Sequence, residues 1–263
     1  QVLQGQVTLS YPSIQDLLGR LDNVQSILAG SKFSVQEITS TDEPALDVTD
    51  PWGSSFRIVL GVPEDRNGRG EQPGGRSVGY GITDLAFYTP STCNLEGIGR
   101  FYEQILGAPV LQDNEDQCVV SVGPRQTLTF RRHPVSETSV VAHEDLRDDQ
   151  VDPPPAGFLT YLSNYGPHVS MYVADLAVTY QRAAALDLTY VNPRFKRRSY
   201  TLEQALDDCM FRCLDIVDPA HPDEGVILRL EHEVRSVVKP DGTLYKSCPF
   251  TAIPSECQTN HSS

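Results

Sequence analysis

Apolar and polar positions follow one order three times along the chain: a short period-two stretch, a segment apolar at helical spacing, then three more period-two stretches. In the first repeat Gln6–Ser10 alternates, and Pro12-Ser13 opens a helix with Ile14, Leu17, Leu18, Leu21, Val24 and Leu28 on one face. Phe33–Thr39, Ala45–Asp50 and Ser55–Leu60 read as strands, the last two joined by the turn Asp50-Pro51-Trp52-Gly53. In the second repeat Ile82–Tyr88 is a strand, and Ile98, Phe101, Tyr102, Ile105 and Leu106 mark a helix that Gly107 stops. Strands are predicted at Pro109–Gln112, Gln117–Val122 and Gln126–Arg131. The third repeat has a strand at His168–Val173, a helix from Asp175 to Leu186, a strand at Thr189–Asn192, and strands at Met210–Val217 and Val226–Val234. The pattern predicts an α+β fold of tandem β-α-β-β-β modules: residues 1–62, 78–133 and 158–236, with linkers at 63–77 and 134–157 and an irregular tail at 237–263.

Composition narrows what such modules do. The 263 residues hold 35 Asp and Glu against 21 Lys and Arg, a formal charge of −14, which repels phosphate backbones and argues against a nucleic-acid partner. No apolar run reaches the roughly 18–20 residues of a membrane helix, so no span is expected. No Walker or dinucleotide fingerprint is present, so no nucleotide cofactor is implied. The start at Gln1, close to a strand, reads as a processed chain or a fragment. The even count of six Cys permits a Cys248–Cys257 disulfide, and Asn260-His261-Ser262 is a glycosylation sequon. Disulfide frameworks belong to shorter secreted chains, and an intracellular or organellar setting is favoured over secretion. Cys209 and Cys213 share a face of a predicted strand and read as buried structural residues.

Three short motifs, and with them the whole stretch to Ser236, carry a family resemblance. Gly99-Arg100-Phe101-Tyr102-Glu103-Gln104-Ile105-Leu106-Gly107-Ala108 is similar to the helix signature of the vicinal oxygen chelate superfamily, which includes glyoxalases, bleomycin resistance proteins and extradiol dioxygenases. His168-Val169-Ser170-Met171-Tyr172-Val173-Ala174-Asp175 resembles its first-strand signature, and Asp50-Pro51-Trp52-Gly53 its Asp-Pro-Asp-Gly turn. The stretch to Ser236, Leu230-Glu231-His232-Glu233 included, is similar to uncharacterised multi-module members. The resemblance implies curved mixed sheets that enclose a cavity between paired modules. It couples the second module with the third, and leaves the first to a missing upstream module or a neighbouring chain, such as a homodimer partner.

In that family the metal ligands sit on the first and last strands of each module. Alternation alone puts His168, Ser170 and Tyr172 on one face of their strand, and Ile227, Arg229, Glu231 and Glu233 on one face of the last strand. The family's first-strand position falls on Gln6, Asp84 and His168, and its last-strand position on Arg57, Thr129 and Arg229. A shift of two residues reaches Glu231. The resemblance thus implies a divalent Fe, Mn or Zn site of His168, Glu231 and Asp84, where a substrate with adjacent oxygens would chelate. Tyr172 and Glu233 stand as candidate acid or base, and Arg229 and Arg197 as candidate substrate contacts, the latter in the basic run Arg194–Arg198. The expected function is a metal-dependent, dioxygenase-like or glyoxalase-like enzyme acting on a small oxygenated substrate. Against it stands a non-catalytic small-molecule-binding or structural protein with a degenerate metal site, favoured by Arg57, Thr129 and Arg229 where carboxylates are usual. Glu231, Glu233 and Arg229 also read as a plain ion-pair ladder, and His232 faces away from Glu231.

Overall fold

Gly5–Tyr11 (β1) is the seed of a sheet that runs through two of the three repeats. The computed structural model describes residues 3–39, 43–66, 78–132, 168–192 and 199–245. The acidic and basic linker stretches, Arg197, the Cys248–Cys257 pair and the sequon lie outside the described residues. Two compact units hold the described residues: one takes in those up to 89 and from 108 to 132, the other residues 90–107 and those from 168 to 245.

In the first unit Ser13 caps helix α1 (Ile14–Gln25), its hydroxyl accepting from the Asp16 N–H at 3.1 Å. The α1 face of Ile14, Leu17, Leu18 and Leu21 packs against Leu46, Val48 and Ile58 of β3 (Ala45–Thr49) and β4 (Ser55–Leu60). β2 (Ser34–Ile38) flanks β3, and the β3–β4 turn closes on Asp50, whose Oδ1 accepts from the N–H groups of Trp52, Gly53 and Ser54 at 2.9, 2.6 and 2.8 Å. Gly53 takes φ +109°, a conformation open to glycine. β1 lies parallel to β4 on one side and antiparallel to β5 (Gly81–Thr89) on the other. With β6 (Val110–Asp113), β7 (Gln117–Gly123) and β8 (Gln126–Arg132) the strand order is β2-β3-β4-β1-β5-β8-β7-β6.

The β1–β5 ladder corrects the pairing inferred from sequence, which left the first module to a partner outside the chain. Gly5 accounts for it: a Cβ there would stand 1.9 Å from the Ala86 carbonyl oxygen, so only glycine lets the two first strands approach this closely.

The second unit holds helix α2 (Leu95–Phe101), prolonged by a π turn over Tyr102–Leu106 and ended by Gly107 at φ +71°. Its N-cap Asn94 accepts from the Gly97 N–H at 2.9 Å. Helix α2 belongs in sequence to the second repeat, yet packs on the third. Arg100 forks onto the buried Asp218 through Nε at 2.8 Å and Nη2 at 2.6 Å, and Tyr102 bonds His232. The four-stranded sheet runs β10-β11-β12-β9, with β9 (His168–Val173), β10 (Thr189–Tyr190), β11 (Met210–Val217) and β12 (Val226–Ser236). Helix α3 (Leu176–Ala185) is capped by Asp175, and Tyr180 meets the Phe211 ring edge-on at 5.2 Å. Helix α4 (Leu202–Asp208), absent from the sequence reading, is capped by Thr201 and ends at Cys209 in the left-handed region. Cys209 is therefore a helix terminus and not a strand neighbour of Cys213, though both are buried. Among the described residues no helix is long and apolar enough to cross a membrane.

Candidate functional site

Because β1 joins β5, the positions Gln6, Arg57, Asp84 and Thr129 come onto one polar face of the eight-stranded sheet. Thr8 is the Cα partner of both Asp84 and Arg57, and Ala86 that of both Gln6 and Thr129. Each polar side chain has a local partner. Asp84 Oδ1 accepts from the Thr127 hydroxyl at 2.5 Å and from the Thr129 hydroxyl at 2.8 Å. Arg57 donates from Nε to Asp47 Oδ1 at 2.9 Å and from Nη2 to Oδ2 at 2.8 Å, a planar two-point pair that raises the guanidinium pKa further. Gln6 Nε2 donates to Ser55 Oγ at 3.1 Å, and Arg131 Nε to Gln117 Oε1 at 3.1 Å. The opposite face carries Leu46, Val48 and Ile58 under α1, with Leu128 and Phe130 buried farther along.

The second unit holds the other sequence candidates. β9 and β12 run parallel with His168 the Cα partner of Glu231, Ser170 of Glu233 and Tyr172 of Arg235. His168 and Glu231 are thus brought side by side. The side chain that organises this face is Arg212 of β11, which the sequence reading missed. It is 6% exposed, donates from Nη1 to Glu231 Oε1 at 2.7 Å, and pairs with Glu233. Asn192 Nδ2 donates to the other Glu231 oxygen at 3.0 Å. Glu233 also pairs with Arg235 and is buried, so its carboxylate sits between two guanidinium groups and is poorly placed to serve as a base. Arg229, beyond a shift in the β11–β12 register, donates from Nε to Asp215 at 3.1 Å. The expected alternation also breaks at Ile227, which packs toward Gly97 of α2 rather than joining the polar face.

His232 lies on the opposite side from Glu231, as alternation predicts. It is fully buried between Phe101 and Tyr102, and its Nε2 sits 2.7 Å from the Tyr102 hydroxyl. Burial pushes its imidazole down to about 4, more than the Leu230 backbone carbonyl offsets.

A divalent metal does not fit these donors. Glu231 has both oxygens engaged, one by a buried guanidinium that a dication would have to displace. Asp84, in the first unit, holds two hydroxyls and has no second carboxylate or imidazole among the neighbours that bond it. Among the described residues no three His, Cys, Asp or Glu side chains gather as a cation site. Arg212 did leave a signal in the sequence: a lone arginine in the apolar strand Met210–Val217 needs an acidic partner across the sheet.

No protein-family model matches the sequence, and no curated protein matches it. Solved structures do match. A Bacillus subtilis protein described as a putative dioxygenase superposes with TM-score 0.50 at 12% identity, over 90% of this chain and 62% of its own. A glyoxalase I variant from Zea mays gives TM-score 0.47 at 11% identity, over 90% of this chain and 70% of its own. The chain thus spans under two thirds of the Bacillus protein's length. At such identities the likeness concerns architecture alone: the chain shares the fold of the Bacillus protein.

Proposed function

We propose that the polar face of the first unit binds a small hydroxylated carboxylate directly, without a metal ion. The observation that carries this reading is the residue set at the four ligand positions implied by the family resemblance: Gln6, Arg57, Asp84 and Thr129. It offers one carboxylate, already holding two hydroxyls, and a guanidinium that would repel a dication. The same set suits an oxygen-rich ligand. Asp47 uses one N–H each from Nε and Nη2 of Arg57, which leaves three of the five guanidinium donors for a ligand carboxylate, and the side chain is 42% exposed. Gln6 and Asp84, both half-buried, supply a further donor and acceptor for hydroxyl groups, and the buried Thr129 holds the Asp84 carboxylate in place.

A second reading is the metal-dependent enzyme, dioxygenase-like or glyoxalase-like. The register of exposed His168 beside Glu231 favours it. It requires Glu231 to exchange Arg212 for a metal that His168 would also hold, with Tyr172 or Glu233 as acid or base, and Arg229 or Arg197 on the substrate.

Two measurements separate them. Elemental analysis of protein purified without chelator should find no stoichiometric Fe, Mn or Zn. A thermal-shift panel of α-hydroxy acids, polyols and catechols should give a hit that Asp84→Ala and Arg57→Gln abolish and His168→Ala leaves intact. One metal per chain that His168→Ala removes would overturn the metal-free reading.

A further inference from the structure

Arg131 shares the polar face of the first unit with Arg57. On β5 the residues Asp84, Ala86 and Tyr88 alternate onto one side, and their Cα partners on β8 are Thr127, Thr129 and Arg131. Arg57 joins the Asp84 row through Thr8, so the two arginines stand four residues apart along the strands and three strands apart across them. That separation is about 20 Å along the sheet surface. Tyr88 links the two ends: it neighbours Arg131 in register, and after Asp47 it acts through space to raise the Arg57 guanidinium pKa.

Each guanidinium is fixed by a neighbour and keeps donors in hand. Arg131, half-buried, donates from Nε to Gln117 Oε1 at 3.1 Å, as Arg57 is held by Asp47, and among the described residues its Nη1 and Nη2 bond no other group. Four N–H donors of Arg131 remain for a ligand, in the planar fork that matches a carboxylate. Asp84 sits on a strand between those of the arginines and takes both threonine hydroxyls on Oδ1, which leaves Oδ2 as an acceptor. In a chain of net charge −14, two forked cations with an acceptor between them match a ligand anionic at both ends and hydroxylated along its middle. We infer that this face binds an open-chain hydroxylated dicarboxylate, with one carboxylate on Arg57, the other on Arg131, and hydroxyl groups of the chain on Asp84. The inference rests on the reading of the first unit as a metal-free acid-binding face, and adds Arg131 as the residue that selects a second carboxylate. The separation of the arginines suits a sugar-diacid chain rather than a short α-hydroxy acid, whose single carboxylate engages one of them.

Isothermal titration of the full chain with D-glucarate and D-gluconate tests the contact, because the two acids share a hydroxylated chain of equal length and differ in whether its far end is a carboxylate. Glucarate should bind at least about tenfold tighter than gluconate, the difference of one charge-assisted fork. Arg131→Gln should bring that ratio below about threefold, with gluconate affinity and the unliganded melting temperature little changed, which separates a lost contact from a lost fold. Arg132→Gln removes the same charge from the opposite face of β8 and should leave the ratio as it is. Equal affinity for the two acids in wild type, or a ratio that survives Arg131→Gln, overturns this inference and leaves a face that binds monocarboxylates. Binding of neither acid overturns it too, and the panel of α-hydroxy acids then decides separately whether the face binds acids at all.

Discussion

His232 is a histidine that the fold keeps neutral. Its folded pKa of about 4 lies below the ordinary 6.5 because the ring is wholly buried. Below pH 6.5 the unfolded chain therefore takes up a proton that the folded chain does not. Stability from this group is complete above pH 6.5 and falls as pH drops toward 4, by about 3 kcal/mol in all. Denaturant titrations at pH 7 and 4.5 should show the loss in wild type and a smaller one in His232→Gln; equal losses would mean that the folded imidazole protonates freely. Arg212 is the matching case for charge. Arg212→Met leaves the buried Glu233 to Arg235 alone and Glu231 to Asn192 alone, and should cost about 3 kcal/mol in urea unfolding, whereas Arg212→Met/Glu233→Met should cost less, because the more buried carboxylate is then gone. The site was legible in sequence as far as strand faces go: His168 does neighbour Glu231, and His232 does turn away. What alternation could not supply was the cross-strand partner, since Arg212 sits about twenty residues from the carboxylates it holds.

At the scale of elements, glycine spacing decides two outcomes of opposite sign. Gly5→Ala would drive a methyl into the Ala86 carbonyl at the β1–β5 junction, a backbone contact that cannot yield by a rotamer change, and should destabilise by roughly 1–3 kcal/mol. Gly19 on the exposed side of α1 has nothing within 4 Å of its added Cβ, so Gly19→Ala should stabilise by about 0.5–1 kcal/mol through helix propensity. Denaturation midpoints of both variants check the pair; a neutral Gly5→Ala would show that the strands can part without cost. Most elements were readable because each repeat has its own period and its own capping side chain, as at Ser13 and Asp175. Helix α4 was missed because its seven residues include only Leu202, Ala205 and Leu206 as apolar positions, too few to show a helical stripe. The β1–β5 ladder was missed for another reason: a sheet edge carries no record of its partner, and one glycine is a faint mark of close approach.

For the whole molecule the dominant long-range term is the charge of −14. At about 10 mM salt the Debye length is near 30 Å, so most of the acidic surface repels itself; at about 150 mM it is near 8 Å and that repulsion is largely gone. The attractive pairs respond less. Arg100–Asp218 and Arg212–Glu233 each place a carboxylate with less than a tenth of its surface in water, where mobile ions screen weakly. Arg57–Asp47 and Arg100–Glu96 are more exposed and will weaken, but pairs of that kind contribute only about 0.2–1 kcal/mol each. Repulsion relieved should therefore exceed attraction lost, and the melting temperature should rise between 10 and about 150 mM NaCl. Self-association would raise it too, so the scan is run at two protein concentrations tenfold apart. A salt effect common to both concentrations reports intramolecular repulsion, and one that grows with concentration reports self-association. A melting temperature that falls with salt would mean that the exposed pairs, and not the acidic excess, dominate the electrostatics of the fold.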